Sequence, residues 1–140
     1  MEKRQDCGLL LKQINDELRK NGNNALRAQG MTMTQLDLLA ELDCAPEGQR
    51  FSKELEQLLH VAQSTVAGVI SRLEQKDLVT GLGDSTDRRV KLVRITPAGT
   101  RCLQEAQRYR NEAEAKLLSG LTETEREIFY ALLKKVRDSL

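Results

Sequence analysis

The chain has 140 residues, 31% of them charged, and a formal net charge of +1. A core of that size needs neither disulfide nor metal, and the even charge balance leaves any nucleic-acid-binding surface to local clustering. Only 3% of residues are aromatic and Trp is absent, which argues against a stacking platform for single strands, and no apolar run reaches the length of a bilayer span.

The start of the chain, Met1 to Gln13, is too polar for a signal peptide. Cys7, Cys44 and Cys102 are odd in number and widely spaced, which suits a reducing cytoplasm better than a disulfide framework. The length predicts one domain over residues 1–140, or one domain plus a dimerisation arm.

The first helix is expected from about Asp6 to Gln29, with Leu11, Ile14, Leu18 and Ala25 recurring at helical spacing. Asn21-Gly22 interrupts that stripe, because Gly inside a helix costs about 1 kcal/mol against Ala. Gly30 supplies the stop. Thr32 and Gln35 have the spacing of a capping box and open a second helix that runs to about Leu42, burying Leu36, Leu39 and Ala40. Asp43 to Arg50 reads as a loop through Pro46 and Gly48.

Ser52 is expected to cap a short third helix with Leu55, Leu58 and Leu59 on one face. His60-Val61-Ala62 is the turn, and the next helix buries Val66, Val69, Ile70 and Leu73. Val79 to Leu82 and Val90 to Ile95 are rich in β-branched residues and flank a loop from Gly83 to Arg89, which predicts a β-hairpin. Thr96 is the expected N-cap of a further helix with Pro97 in its first turn. Leu103, Ala106, Ala113 and Leu117 form its stripe, and Ser119-Gly120 ends it. Thr122 and Glu125 form a second capping box. The last helix carries Ile128, Phe129, Leu132, Leu133, Val136 and Leu140, an apolar face wide enough to require burial against a partner as well.

The chemistry centres on residues 51–99. The start of a recognition helix faces base edges in a major groove. Gln63 can pair bidentately with adenine, and Ser64 and Thr65 can bond bases or phosphates. As isolated residues they are equally ordinary helix-start polar groups. Gly68, one turn on, either permits close approach to DNA or fills a tight packing position. Arg72 is a phosphate clamp or a surface ion pair near Glu74 and Asp77. At the hairpin tip Arg89 suits a narrow minor groove, while Arg88 and Lys91 would contact the DNA backbone without reading sequence.

No nucleophile elbow, phosphate-binding Gly loop or paired-carboxylate pattern is present, so no enzyme activity is expected. His60 with Cys7, Cys44 and Cys102 lacks metal-ligand spacing, and neither metal nor cofactor is expected.

Several segments together resemble the multiple antibiotic resistance regulator (MarR) family of bacterial winged helix-turn-helix transcription factors. They are Thr32-x-x-Gln35 before Leu38-Leu39; Ser64-Thr65-Val66; Arg72-Leu73-Glu74-x-Lys76-x-Leu78-Val79; Asp87-Arg88-Arg89; and Leu92-x-x-x-Thr96-x-x-Gly99. The resemblance covers nearly the whole chain. It implies a mainly α fold with a small β-hairpin: a winged helix-turn-helix core at about 32–96, flanked by dimerisation helices at about 6–29 and 97–140. It also implies that Asp87 holds the Arg89 guanidinium, and that Ser52, Gln63, Ser64, Thr65, Gly68, Arg72, Asp87, Arg88, Arg89 and Lys91 form the DNA-binding set.

The expected protein is thus a cytoplasmic homodimer that binds double-stranded DNA at a palindromic operator, a repressor released by a small aromatic or lipophilic effector, with no membrane partner. Three positions depart from the family pattern. Ala62 stands at a usual capping Ser, Asp77 at a usual Gly, and Thr80-Gly81 where an Arg is common. Two alternatives remain. One is a winged-helix protein-interaction module without DNA binding. The other is a thiol-based redox sensor, since some family members carry a reactive Cys near the start of the first helix. Lys3 and Arg4 lie near Cys7, but Asp6 opposes them and no aromatic partner is close in sequence.

Overall fold

A computed structural model describes residues 6–82 and 91–140. Six helices and three short strands account for most of them: α1 Cys7–Leu26, α2 Met33–Asp43, α3 Ser52–Leu59, α4 Gln63–Gln75, α5 Pro97–Leu117 and α6 Glu123–Asp138, with β1 Gln49–Phe51, β2 Val79–Leu82 and β3 Leu92–Ile95. The described residues up to Ala106 form one compact unit, and Gln107–Leu140 form a second.

Helix starts follow local hydrogen bonding. The Asp6 carboxylate accepts the Leu9 amide at 2.8 Å and opens α1. The Thr32 hydroxyl accepts the Gln35 amide at 3.2 Å while the Gln35 side chain accepts the Thr32 amide at 3.1 Å, a reciprocal box that satisfies two otherwise orphaned donors. Thr122 and Glu125 repeat it at α6 with distances of 2.9 and 3.2 Å, and the Thr122 backbone and hydroxyl hold the Glu125 carboxyl below its ordinary range. The Gly99 amide donates to the Thr96 hydroxyl at 3.1 Å and starts α5.

α1 is continuous through Asn21-Gly22, and Gly22 is itself buried. The helix ends at Leu26, and Arg27–Gln29 tighten into a 3-10 turn before Gly30 at φ 67°. Leu26 is buried and Ala25 exposed; Leu11 and Ile14 are exposed as well. The inward stripe of α1 is therefore Leu18, Gly22 and Leu26.

α3 is capped differently from the sequence expectation. Phe51 is the N-cap, with its amide donating to the Glu54 carboxylate at 3.0 Å, and Ser52 is the first helical residue. Ser52 is buried, and its hydroxyl accepts the Lys91 amide at 3.2 Å. Leu58 is exposed and only Leu55 of that face is fully buried.

The segment expected to be loop contains β1. It pairs antiparallel with β3, Gln49 opposite Arg94 and Phe51 opposite Leu92, so the predicted hairpin of β2 and β3 becomes a three-stranded sheet in the order β1-β3-β2. Three residues carry no alternation long enough to read as a strand. The pairing decides it.

The core draws on Leu36, Leu38, Leu39 and Leu42 of α2, Leu55 of α3, Val66, Ile70 and Leu73 of α4, and Val93 of β3. α5 packs close behind it, since a Cβ at Gly99 would collide with the Leu78 carbonyl oxygen. No helix among the described residues is long and apolar enough to cross a membrane.

Candidate nucleic-acid interface

α4 is anchored by its buried stripe and offers the opposite face outward. Gln63, Ser64, Thr65, Ala67, Gly68, Ser71, Arg72 and Gln75 are all exposed. Ser64, Gly68, Ser71, Arg72 and Gln75 follow helical spacing along one line. Gly68 faces open space, with nothing within 4 Å of where a Cβ would stand, so it fills no internal packing position. The outer line has no carboxylate, and its side chains before Arg72 are small.

Arg72 makes no ion pair with Glu74 or Asp77; among the described residues its guanidinium has no partner. Glu74 is paired instead with Lys91. The α4 N-terminus has Ala62 as N-cap and no side-chain acceptor, which leaves first-turn amides to whatever the helix meets. Its C-terminus closes with Asp77 at φ 58° and the Leu78 amide donating to the Leu73 carbonyl at 3.0 Å.

The sequence-predicted set divides. Gln63, Ser64, Thr65, Gly68 and Arg72 share one exposed helix. Ser52 is buried, its amide donating to the Lys91 carbonyl at 2.7 Å, and with Gln63 and Lys91 it lines one recess beside α4. The Lys91 ammonium, assigned to a DNA phosphate from sequence, is committed to Glu74 across the base of the hairpin. Asp87, Arg88 and Arg89 lie outside the described residues. Ser71 and Gln75, which the sequence reading did not name, share this exposed line, seven and eleven residues after Ser64.

Other basic residues near α4 are spent inside the fold. Arg50 donates from Nε to the Glu41 carbonyl at 2.8 Å and lies 3.7 Å from the Glu54 carboxylate. Lys76 donates to the Gly30 carbonyl, tying the end of α4 to the turn after α1. Among the described residues no group of three or more His, Cys, Asp or Glu is placed to hold a metal ion.

Comparison with known proteins then fixes the ancestry of this arrangement. Residues 31–91 match the model of the MarR family. The multiple antibiotic resistance protein MarR of Salmonella typhimurium is 31% identical over 130 residues, covering 92% of this chain and 89% of that one. The chain belongs to the MarR family.

MarR-family proteins are DNA-binding transcription regulators, not enzymes. The HTH-type transcriptional regulator YwaE of Bacillus subtilis is 32% identical over 89 residues, covering 64% of this chain, but that match spans only 52% of YwaE. Among solved structures, an E. coli MarR mutant complexed with operator DNA aligns with a TM-score of 0.75 at 27% identity, over 92% of this chain and 91% of the other. BpsR of Bordetella bronchiseptica, whose DNA binding is regulated by 6-hydroxynicotinic acid, aligns with a TM-score of 0.80 at 26% identity, over 95% of this chain and 99% of the other.

Proposed function

We propose that this MarR-family regulator is a homodimeric repressor that docks α4 in the major groove of a palindromic operator. The observation that carries the reading is the outer line of α4: exposed, free of carboxylates, small up to its last turn, and carrying there an Arg72 without a partner among the described residues. Small side chains let the helix lie close to base edges, and an unpaired guanidinium suits a phosphate. In this reading Gln63, Ser64 and Thr65 meet bases, Gly68 gives clearance and Arg72 clamps the backbone. Asp87, Arg88 and Arg89 act at the wing. The protein works where the chromosome is, in the cytoplasm.

Two exposed apolar faces support a second copy as partner. α1 exposes Leu9, Leu10, Leu11 and Ile14, and α6 exposes Ile128, Leu132, Leu133 and Val136. Faces of that extent on a small protein are interaction surfaces. A two-fold dimer with recognition helices about 34 Å apart reads a palindrome.

Release by a small aromatic effector is the proposed signal, supported by the named regulation of BpsR. A recess among Leu26, Leu36, Leu78 and Ala106, edged by Lys76 and Arg101, is a suitable place. An anion held there would compete for Lys76, which binds the Gly30 carbonyl at the far end of α4.

Selection of bound sequences from random duplex DNA tests the function. A palindromic consensus is expected, and no enrichment would leave a protein-interaction module.

A further inference from the structure

Lys91 follows the hairpin tip in sequence and is held at three points. Its carbonyl accepts the Ser52 amide at 2.7 Å and its amide donates to the Ser52 hydroxyl at 3.2 Å, so its backbone is pinned to the first turn of α3. Its side chain then crosses Gly81 of β2 to reach the Glu74 carboxylate on α4. The route needs Gly81: a Cβ there would stand 2.8 Å from the Lys91 Cε. On the other strand Leu82 is paired with Leu92. Both ends of residues 83–90 therefore leave from a fixed base, and one ion pair joins that base to α4.

From this we infer that Glu74 and Lys91 are positioning residues for DNA recognition, a latch that sets the hairpin base against the recognition helix. The inference rests on the proposed docking of α4 and the wing, but the latch itself exists without DNA. The side chains are 39% and 34% exposed, so the pair is partly desolvated and weaker than a buried one. Preorganisation cannot add more to binding than the pair adds to the aligned arrangement, so the expected effect is about two- to fivefold. Glu74 also accounts for why an acidic residue is tolerated on a helix that meets a polyanion: its charge is neutralised by Lys91.

The test has two arms. Without DNA, amide exchange at Ser52 and along β2 and β3 should rise about two- to fivefold in Glu74→Gln and in Lys91→Met, the gain expected when a pair of this kind is lost. The double variant should rise no further, and the charge-reversed pair Glu74→Lys with Lys91→Glu should restore the wild-type rate. α6 amides serve as the unaffected reference. With a duplex selected by the wild-type protein, both single variants should bind about two- to fivefold more weakly, with the salt slope unchanged. Multiplying effects in the exchange arm would overturn the latch. So would a Lys91→Met salt slope flatter by about one with Glu74→Gln binding more tightly, since Lys91 would then be a phosphate contact. If the wild type selects no duplex, the docking proposal fails while the exchange arm still decides the latch.

Discussion

The Thr96 hydroxyl donates to the Asp77 carbonyl at 2.6 Å and accepts the Gly99 amide at 3.1 Å. One side chain thus joins the end of α4 to the start of α5. The Thr96 amide also donates to the Leu78 carbonyl at 3.1 Å, so the joint is backbone as well as side chain.

Thr96→Ala removes the N-cap and the link to Asp77 together. Loss of about 1–2 kcal/mol is expected, at the upper end of cap deletions. Thr96→Ser keeps both bonds and should lose little. Chemical denaturation of the two variants decides it; equal losses would mean that the methyl group, and not the hydroxyl, matters.

Asp77 closes α4 in the left-handed region at φ 58°, where an L side chain is strained and Gly is not. Asp77→Gly should raise stability by about 0.5–1 kcal/mol, the relief of strain being partly offset by the freer unfolded chain. Asp77→Ala should fall below wild type, because Asp adopts the left-handed region more readily than Ala. His60, at φ 54° in the helix-turn-helix turn, should respond to Gly in the same direction. Thermal melts in which Gly at position 77 fails to exceed Asp would show that the strain is not felt.

Gln63→Ala should relax base preference in the selected consensus, whereas Arg72→Ala should weaken all sequences evenly and flatten the salt slope by about one. Arg89→Ala should cost about 1–3 kcal/mol on one operator if it enters a groove. Lys12→Ala, removing a solvent-exposed partner of Asp16 on α1, is the remote control. An unchanged consensus from Gln63→Ala would remove its base-reading role.

Leu132→Glu should convert a dimer to a monomer at micromolar concentration, because a carboxylate would be buried without a partner in the interface. Leu132→Met should not. Sedimentation that finds the wild type monomeric would sink the proposed assembly.

Burial pushes the Cys102 thiol above its ordinary range, with Glu105 adding to the rise and Lys76 opposing it. At neutral pH it carries less thiolate than a free thiol, so alkylation should be slowest at Cys102, with the exposed Cys7 and Cys44 modified first. The raised value favours the protonated folded form. Its stabilising effect is complete below the ordinary thiol range and lost as pH rises through the folded value. Mass spectrometry of a timed alkylation checks the order. Peroxide should leave DNA binding equal in wild type and Cys7→Ser; release confined to the wild type would establish a redox sensor.

What the sequence determined by itself is local. The boxes at Thr32 and Gln35 and at Thr122 and Glu125, the Thr96 cap and the buried stripe of α4 all rest on bonds or spacings within a few residues, so the chain carries them in any helical context. The exposure of Ser64 and Thr65 was legible for the same reason, since they lie off the stripe of Val66, Ile70 and Leu73, whereas Gln63 shares the face of Ile70 and is exposed in the first turn of the helix. Tertiary structure decided whatever depends on a distant partner. The Lys91–Glu74 pair spans 17 residues, the Ser52 bond to Lys91 spans 39, and the Arg94 bond to Gln49 beside the β1 pairing spans 45. Burial of Ser52 and pairing of Lys91 with Glu74 follow from where the residue before β3 meets the start of α3 and the side of α4. A charge or hydroxyl reads the same in sequence whether it meets DNA or another strand; only the topology supplies the neighbour that satisfies it.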